Sequence, residues 1–210
     1  MHVPDGFLSP AITLPAYAAA APLWALAVRR HFGVRAVDAL PVIGSLTALA
    51  FVVQTIRVPV PGGTSTHLVG MALLALVHHP LVAFVCEGLV LAVQALFFGA
   101  GGVTTLGVNA LAMGLAGPGT AWLVFRAARR LGPRAAAFLA AWAGTQAGSL
   151  AVALVLALQH ALDPRVFPVP PAVALGATLL PSLAVTGVVE GAYTVAVLAL
   201  LRRVRLHAAP

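Results

Sequence analysis

RVPVPGGTSTHLVGMALLALV, residues 57–77, is the stretch that decides the fold, because it interrupts a series of longer apolar segments. The ten residues from Leu68 to Val77 would form about 15 Å of helix, which is half the thickness of the hydrocarbon core of a bilayer. The prolines and glycines before them exclude regular helix. Irregular backbone is not tolerated against lipid, so we predict a re-entrant loop over residues 59–67 that is buried in the protein and leads into a short third helix.

The rest of the chain is apolar in segments of membrane length. Of its 210 residues, 61% are hydrophobic and 8% are charged, whereas a soluble domain carries about 25% charged residues. The seven apolar segments are Phe7–Val28, Ala36–Thr55, Leu68–Val77, Leu81–Gly99, Val108–Phe125, Arg134–Leu158 and Ala172–Leu201. This pattern predicts one all-α polytopic membrane domain over residues 1–210 with seven transmembrane helices, and it lacks the short alternating strands of a membrane barrel.

The basic residues indicate a membrane orientation and not a nucleic-acid-binding face. All twelve are arginines, and they lie at the ends of apolar segments. Ten are assigned to one side: Arg29, Arg30, Arg35, Arg126, Arg129, Arg130, Arg134, Arg202, Arg203 and Arg205. Only Arg57 and Arg165 fall on the other. Because basic residues are enriched in cytoplasmic loops, we expect a cytoplasmic carboxyl terminus, and seven crossings then put the amino terminus outside. The first residues carry an acid, Asp5, where a signal peptide would carry basic residues, so we expect no cleaved signal peptide.

The first ten residues, MHVPDGFLSP, place a histidine directly behind the amino terminus. The Met1 amine, the His2 amide nitrogen and His2 Nδ1 can chelate one metal in a plane, closing a five-membered and a six-membered ring. The amide must lose its proton to a strongly polarising metal, and the fourth position in the plane stays open for another imidazole. A planar site of four nitrogens suits Ni(II) or Cu(II) and not Zn(II), which prefers tetrahedral geometry. Co(II) tolerates such a site less well and stays an alternative.

His67 is the candidate for the fourth ligand, because it ends the predicted loop on the side where His2 is expected. His160 is expected on the same side, but in a loop at a helix end, and the remaining four histidines are assigned to the cytoplasmic side. Each ligand also has a simpler interpretation. His2 would then be an exposed terminal residue with no role, and His67 a capping or packing residue.

Other polar side chains are candidates to support the metal site or to act at membrane depth. Metal-bound imidazoles usually donate their second N–H to an oxygen atom, and Ser65, Gln94 and Asn109 are placed to accept it; ordinary interhelical hydrogen bonding is the alternative. Glu87 and Glu190 lie within apolar segments, where ionisable residues are functional candidates. They can link the chain to a partner subunit or act in a conformational switch, and the alternative is pairing with nearby polar groups.

MHVPDGFLSP together with PVPGGTSTHLVG (residues 59–70) resembles the CbiM/NikM family, the substrate-capture membrane components of energy-coupling factor (ECF) importers for nickel and cobalt. VQALFFGAGGVTTLGVNALAMG (residues 93–114) and VVEGAYTV (residues 188–195) extend the similarity along the chain. The resemblance implies a six-helix capture fold with one extra amino-terminal helix. It also implies that Met1, His2 and His67 hold Ni(II) or Co(II) as the transported substrate.

The resemblance implies partners as well: a transmembrane coupling (T) subunit, cytoplasmic ATPase subunits and, as an open alternative, a small accessory membrane subunit. It places this chain in the cell (inner) membrane. The sequence has no P-loop of the form GxxxxGK[ST], so partners must hydrolyse the ATP. One rival is a secondary metal transporter that is coupled to protons through Glu87 and Glu190. The other is an intramembrane metalloenzyme, which would need a motif such as HExxH and an open coordination position.

Overall fold

The structure is a computed structural model that describes residues 2–56, 58–60 and 64–207. Over residues 34–36, 58–60, 64–66 and 204–207 it describes the backbone only. The α-helices are α1 (Pro10–His31), α2 (Leu40–Thr55), α3 (Met71–Val77), α4 (Pro80–Phe98), α5 (Leu106–Asn109), α6 (Gly117–Ala127), α7 (Pro133–Leu162), α8 (Pro171–Pro181) and α9 (Gly187–His207). Two 3₁₀-helices, Val34–Ala39 and Ala128–Leu131, lie in connections.

Two pairs of these helices are continuous through a π-helical stretch. Ala110–Ala116 joins α5 to α6, and Ser182–Thr186 joins α8 to α9. Such stretches are rare and often occur at functional sites. With these pairs counted as single segments, each of the seven apolar segments of the sequence contains helix. Proline at the first position begins α1, α4, α7 and α8, where its fixed φ and missing N–H cost nothing.

Six of the helical segments are long and apolar enough to cross a membrane: Pro10–His31, Val37–Thr55, Pro80–Phe98, Leu106–Leu131, Pro133–Leu162 and Pro171–Arg203. The described residues therefore form a helical multi-pass membrane protein. The predicted count of seven transmembrane helices is not confirmed, because α3 has only seven residues, which is about 10 Å of helix and too short to cross by itself. The third segment is thus even shorter than its sequence suggests.

The stretch before α3 is not helical, as the prolines and glycines predict. Its described part is an antiparallel hairpin of strands β1 (Val58–Val60) and β2 (Thr64–Thr66), in which Pro59 pairs with Ser65. Arg57 and residues 61–63 lie outside the described residues. The hairpin pairs some of the backbone N–H and carbonyl groups of this segment with each other, which an irregular backbone could not do.

The longest helix, α7, packs against α6, α8 and α9. Small residues allow α6 and α7 to approach each other closely. A Cβ added to Gly144 of α7 would lie 2.7 Å from the carbonyl oxygen of Gly117 at the start of α6, so any larger residue would push the two helices apart. Close contact through small residues is a usual way for helices to pack where lipid gives no hydrophobic driving force.

Candidate metal site

His2 and His67, the two histidines selected from the sequence, are in contact although they lie 65 positions apart in the chain. The ring centroids of His2 and His67 are 4.6 Å apart, with the ring planes tilted by 42°. His67 is 4% exposed, and His2 is partly buried. Met1 lies outside the described residues, so the structure gives no position for its amine.

Val3 holds the amino-terminal segment in the bundle. Its N–H donates to Asn109 Oδ1 over 2.9 Å, and its carbonyl oxygen accepts from Asn109 Nδ2 over 3.0 Å and from the Thr105 hydroxyl over 2.6 Å. All three residues are at most 1% exposed. Hydrogen bonds are strengthened in such a low-dielectric interior. Because Val3 follows His2 directly, these bonds fix the backbone that carries the predicted ligand.

Asp5 adds a second attachment. Its carboxylate accepts from the backbone N–H groups of Val103 (3.1 Å) and Thr104 (2.8 Å) and from the Thr104 hydroxyl. Gly102 leaves room for it, because a Cβ there would lie 2.3 Å from Asp5 Oδ1. The Thr104 hydroxyl, with the backbone N–H groups, lowers the pKa of Asp5 below its ordinary value of 3.8. The attachment is therefore fully present above that pH and weakens only as the pH falls through the lowered pKa.

Ser9 makes the third attachment, at the start of α1. Its backbone N–H and its hydroxyl donate to Gln159 Oε1 over 2.8 and 2.9 Å. Gln159 is fully buried near the end of α7. The amino-terminal segment is thus tied to the connection before α5, to α5 itself and to α7. Four of these structural contributors carry no signal in the sequence, because each is a common residue type whose partner is about 100 or more residues away: Asp5, Ser9, Thr105 and Gln159.

A hydrogen bond to the backbone orients the His67 imidazole. Its Nδ1 lies 2.8 Å from the Leu68 carbonyl oxygen. A carbonyl can only accept, so Nδ1 is the donor of this hydrogen bond, and in the neutral ring Nε2 then carries the lone pair. A hydrogen bond from one ring nitrogen to a carbonyl is the usual way in which proteins orient a metal-binding histidine through the other.

The backbone that follows His67 is held by two buried side chains. Glu190 accepts from the N–H groups of Val69 (2.9 Å) and Gly70 (2.7 Å). Gln54 Nε2 donates to the Val69 carbonyl oxygen over 2.8 Å and to Glu87 Oε2 over 2.9 Å. Both glutamates therefore have polar partners, which was the simpler of the two interpretations of their sequence positions.

The other predicted supporting residues are less tightly linked to the histidines. Both ends of the Asn109 amide bond Val3, although Asn109 is near His2: a Cβ added to Gly101 would be 3.4 Å both from Asn109 Nδ2 and from His2 Cβ. Gln94 is 3% exposed, and its side-chain oxygen is buried with no hydrogen-bond partner among the described residues. The side chain of Ser65 lies outside the described part of the chain. Their role beside a metal stays a prediction.

Among the described residues, no three His, Cys, Asp or Glu side chains come together in a way that could hold a metal ion. The predicted chelate would not form such a group, since two of its four nitrogens belong to the backbone. His160 is engaged elsewhere, with Nδ1 2.9 Å from the Phe167 carbonyl oxygen. The rings of His31 and His79 stack at 4.4 Å, close to Trp122, which lies 6.0 Å from His79.

Comparison with known proteins identifies the family. A model described as CbiM, the cobalt uptake substrate-specific transmembrane region, matches residues 2–208. The chain belongs to the CbiM family. It is therefore a membrane component of metal transport and not an enzyme, which excludes the metalloenzyme alternative.

Relatives of this CbiM-family chain have related descriptions. The cobalt transport protein CbiM of Geobacter sulfurreducens is 34% identical over 214 residues, which cover 98% of this chain and 60% of that protein. The fused nickel transport protein NikMN of Rhodobacter capsulatus is 33% identical over 219 residues, covering 97% of this chain and 62% of that protein. The chain thus spans about three fifths of the length of each of these two relatives.

The fold is also found in solved structures. The crystal structure of a truncated transition metal transporter matches with a TM-score of 0.90 at 31% identity, over 97% of this chain and 99% of that one. A second transition metal transporter matches with a TM-score of 0.89 at 32% identity. The resemblance inferred from the sequence motifs is therefore confirmed at the level of the family.

Proposed function

We propose that the chain is the substrate-capture component of an ECF-type importer and that it takes up Ni(II), or Co(II), in a planar site of four nitrogens. The ligands are the Met1 amine, the His2 amide nitrogen and side chain, and His67 Nε2. The observation that carries the proposal is the contact between the His2 and His67 rings at 4.6 Å. The hydrogen bond of His67 supports it, because Nδ1 donates to the Leu68 carbonyl oxygen and the neutral ring then has its lone pair on Nε2.

Three attachments of the amino-terminal segment give the site its rigidity. A chelate through the terminal amine requires that the first residues keep one conformation, whereas chain termini are poorly ordered unless they are tied down. The bonds at Val3, Asp5 and Ser9 hold this segment. Asp5 keeps its charge throughout the pH range in which imidazoles and amines titrate, because its pKa is lowered. The attachment therefore persists where metal and protons compete for the ligands.

The proposal predicts a metal preference and a pH dependence. Ni(II) should bind more tightly than Co(II), and Zn(II) and Mg(II) should bind weakly, because only a strongly polarising metal with planar geometry displaces the amide proton. The amine titrates at about 7.7–8.0 and histidine at about 6.5, so affinity should fall as the pH drops below about 6.5. Titration of the purified protein with each metal measures this, and a yellow absorption band marks diamagnetic square-planar Ni(II). Tighter binding of Co(II), or equal binding of Zn(II), would show that the site is not planar.

The orientation is part of the proposal: six helical segments cross the membrane, and a re-entrant loop together with α3 makes the seventh crossing, which puts the amino terminus outside and the carboxyl terminus in the cytoplasm. It rests on the ten-against-two distribution of arginines. Cysteines replacing the exposed residues Arg165 and Arg130 test it in a variant without Cys86. In intact cells an impermeant maleimide should label position 165 and leave position 130 unlabelled. The reverse result would invert the topology.

We propose the ECF partners on the basis of the family. A transmembrane coupling subunit and cytoplasmic ATPase subunits would supply the energy, and the length of the fused relatives is consistent with an accessory membrane unit beside the capture unit. The proton-coupled alternative depends on Glu87 and Glu190. Those side chains already bond Gln54 and the backbone after His67, which gives them a role without proton transfer.

A further inference from the structure

The segment from His67 to Gly70 joins the hairpin to α3 and belongs to no helix or strand. Backbone groups in such a segment must find partners when they are buried, since an unpaired N–H or carbonyl costs free energy comparable to a lost hydrogen bond. Val69 and Gly70 are both buried. Their partners are therefore structural requirements of the segment that carries His67.

Glu190 supplies the acceptors for both N–H groups. One carboxylate oxygen accepts from Val69 over 2.9 Å and the other from Gly70 over 2.7 Å, and Glu190 is 1% exposed. A carboxylate can accept on both oxygens, whereas an amide has a single acceptor oxygen. Hydrogen bonds to a charged acceptor are also stronger than neutral ones. The fit is specific to a carboxylate at this position in α9.

The other faces of the segment are also fixed. Gln54 of α2 donates to the Val69 carbonyl oxygen over 2.8 Å, so Val69 is held from both its N–H and its carbonyl sides. Gly70 has a φ of 76°, which favours glycine, and a Cβ there would lie 3.0 Å from the Cβ of Ala50. The segment is thus confined between α2 and α9. Only Leu68 separates His67 from Val69, whose backbone is hydrogen-bonded on both sides.

We infer that Glu190 is a positioning residue for metal capture: its carboxylate fixes the backbone of Val69 and Gly70 and thereby places the His67 imidazole against His2. The inference rests on the proposed function for the role of His67. Glu190 does not contact the metal. It acts by reducing the conformational freedom of a ligand that lies on a segment without helix or strand.

Two isosteric substitutions separate this role from a general need for buried carboxylates. In Glu190→Gln, the amide turns its NH₂ group towards the N–H of Val69 or Gly70, so one donor loses its acceptor. In Glu87→Gln, the amide oxygen can still accept from Gln54 Nε2, which is the hydrogen bond that Glu87 makes now. Both glutamates are fully buried, so burial, size and chemical change are matched.

The experiment measures Ni(II) affinity and amide hydrogen exchange in the metal-free protein. Glu190→Gln should weaken Ni(II) binding by roughly 10- to 100-fold, the usual effect of losing an indirect support of a metal ligand, and should speed exchange at the Val69 and Gly70 amides. Glu87→Gln should keep affinity and exchange near wild type. Glu190→Asp retains two acceptors and should lie between wild type and Glu190→Gln, which provides a conservative rescue if the glutamine variant folds poorly.

The outcomes distinguish the inference from the function on which it rests. If the wild type binds Ni(II), His67→Ala does not, and Glu190→Gln matches Glu87→Gln in affinity and exchange, the positioning role is overturned and the proposed function stands. If the wild type fails to bind Ni(II), or His67→Ala binds as well as wild type, the proposed function fails instead. Faster exchange at Val69 and Gly70 in Glu190→Gln would then still show that Glu190 holds this backbone, but the role in metal capture would be lost.

Discussion

Adding a single residue before Met1 should abolish high-affinity Ni(II) binding. Two of the four proposed ligands are the terminal amine and the His2 amide nitrogen, and their spacing closes a five-membered ring. An added residue converts the Met1 amine into an amide and moves the new amine out of that ring. The loss of one strong ligand from a chelate should raise the dissociation constant by roughly 100-fold or more, which corresponds to about 2.7 kcal/mol.

The structure supports this expectation, because the amino-terminal segment cannot shift along the protein to restore the spacing between the amine and His2. Val3 is 1% exposed and is bonded on both its N–H and its carbonyl sides, and Asp5 is fixed next to Gly102. Calorimetry with Ni(II) on the extended protein gives the measurement. The same residue added after Pro210 is the matched control and should leave the affinity unchanged. Equal affinities for the amino-terminally extended and unmodified proteins, with binding in the extended protein still lost on His67→Ala, would exclude the terminal amine as a ligand.

Replacement of either proposed imidazole should have a comparably large effect. His2→Ala and His67→Ala each remove one of four nitrogen ligands, so each should weaken Ni(II) binding by roughly 100-fold or more, or about 2.7 kcal/mol. The absorption band of square-planar Ni(II) should disappear in both. Equilibrium dialysis and the Ni(II) spectrum together measure the result.

His160→Ala is the matched control for His67→Ala. Both rings direct Nδ1 to a nearby carbonyl oxygen, of Phe167 over 2.9 Å and of Leu68 over 2.8 Å. Only His67 lies against His2. We therefore expect His160→Ala to bind Ni(II) like the wild type. Thermal unfolding of both proteins checks that the variant is folded. If His160→Ala loses as much affinity as His67→Ala, the assignment of the fourth ligand is wrong.

Much of the fold follows from local properties of the chain. Apolar segments of membrane length predict helices wherever they occur, because every backbone group in a bilayer must be bonded within the protein. For the same reason, a ten-residue apolar segment behind prolines and glycines predicts a short third helix, and α3 is seven residues long. The proposed ligand at position 2 could also be selected from the sequence, since the chelate geometry of a histidine at that position depends on covalent structure alone.

The supports of the site could not be predicted in the same way. Val3 and Asn109 are 106 residues apart, and Val69 and Glu190 are 121 residues apart. Asn109 was selected as an acceptor for an imidazole, and the fold directs its amide to the Val3 backbone. Glu190 was selected because a charge at membrane depth is costly, but that argument identifies a residue and not its partner.

The sequence by itself determined a helical membrane protein and the break that precedes α3, and it was sufficient to propose the chelate of the first two residues, because periodicity, backbone restrictions and covalent ring size are all local. Only the tertiary structure decided which side chains hold the segments of the proposed ligands in place. Glu190 from α9 and Gln54 from α2 meet at Val69, and Asn109 meets Val3. The physical reason is that a buried backbone group needs an acceptor or a donor wherever the fold can supply one, and the packing of distant helices determines which residue that is.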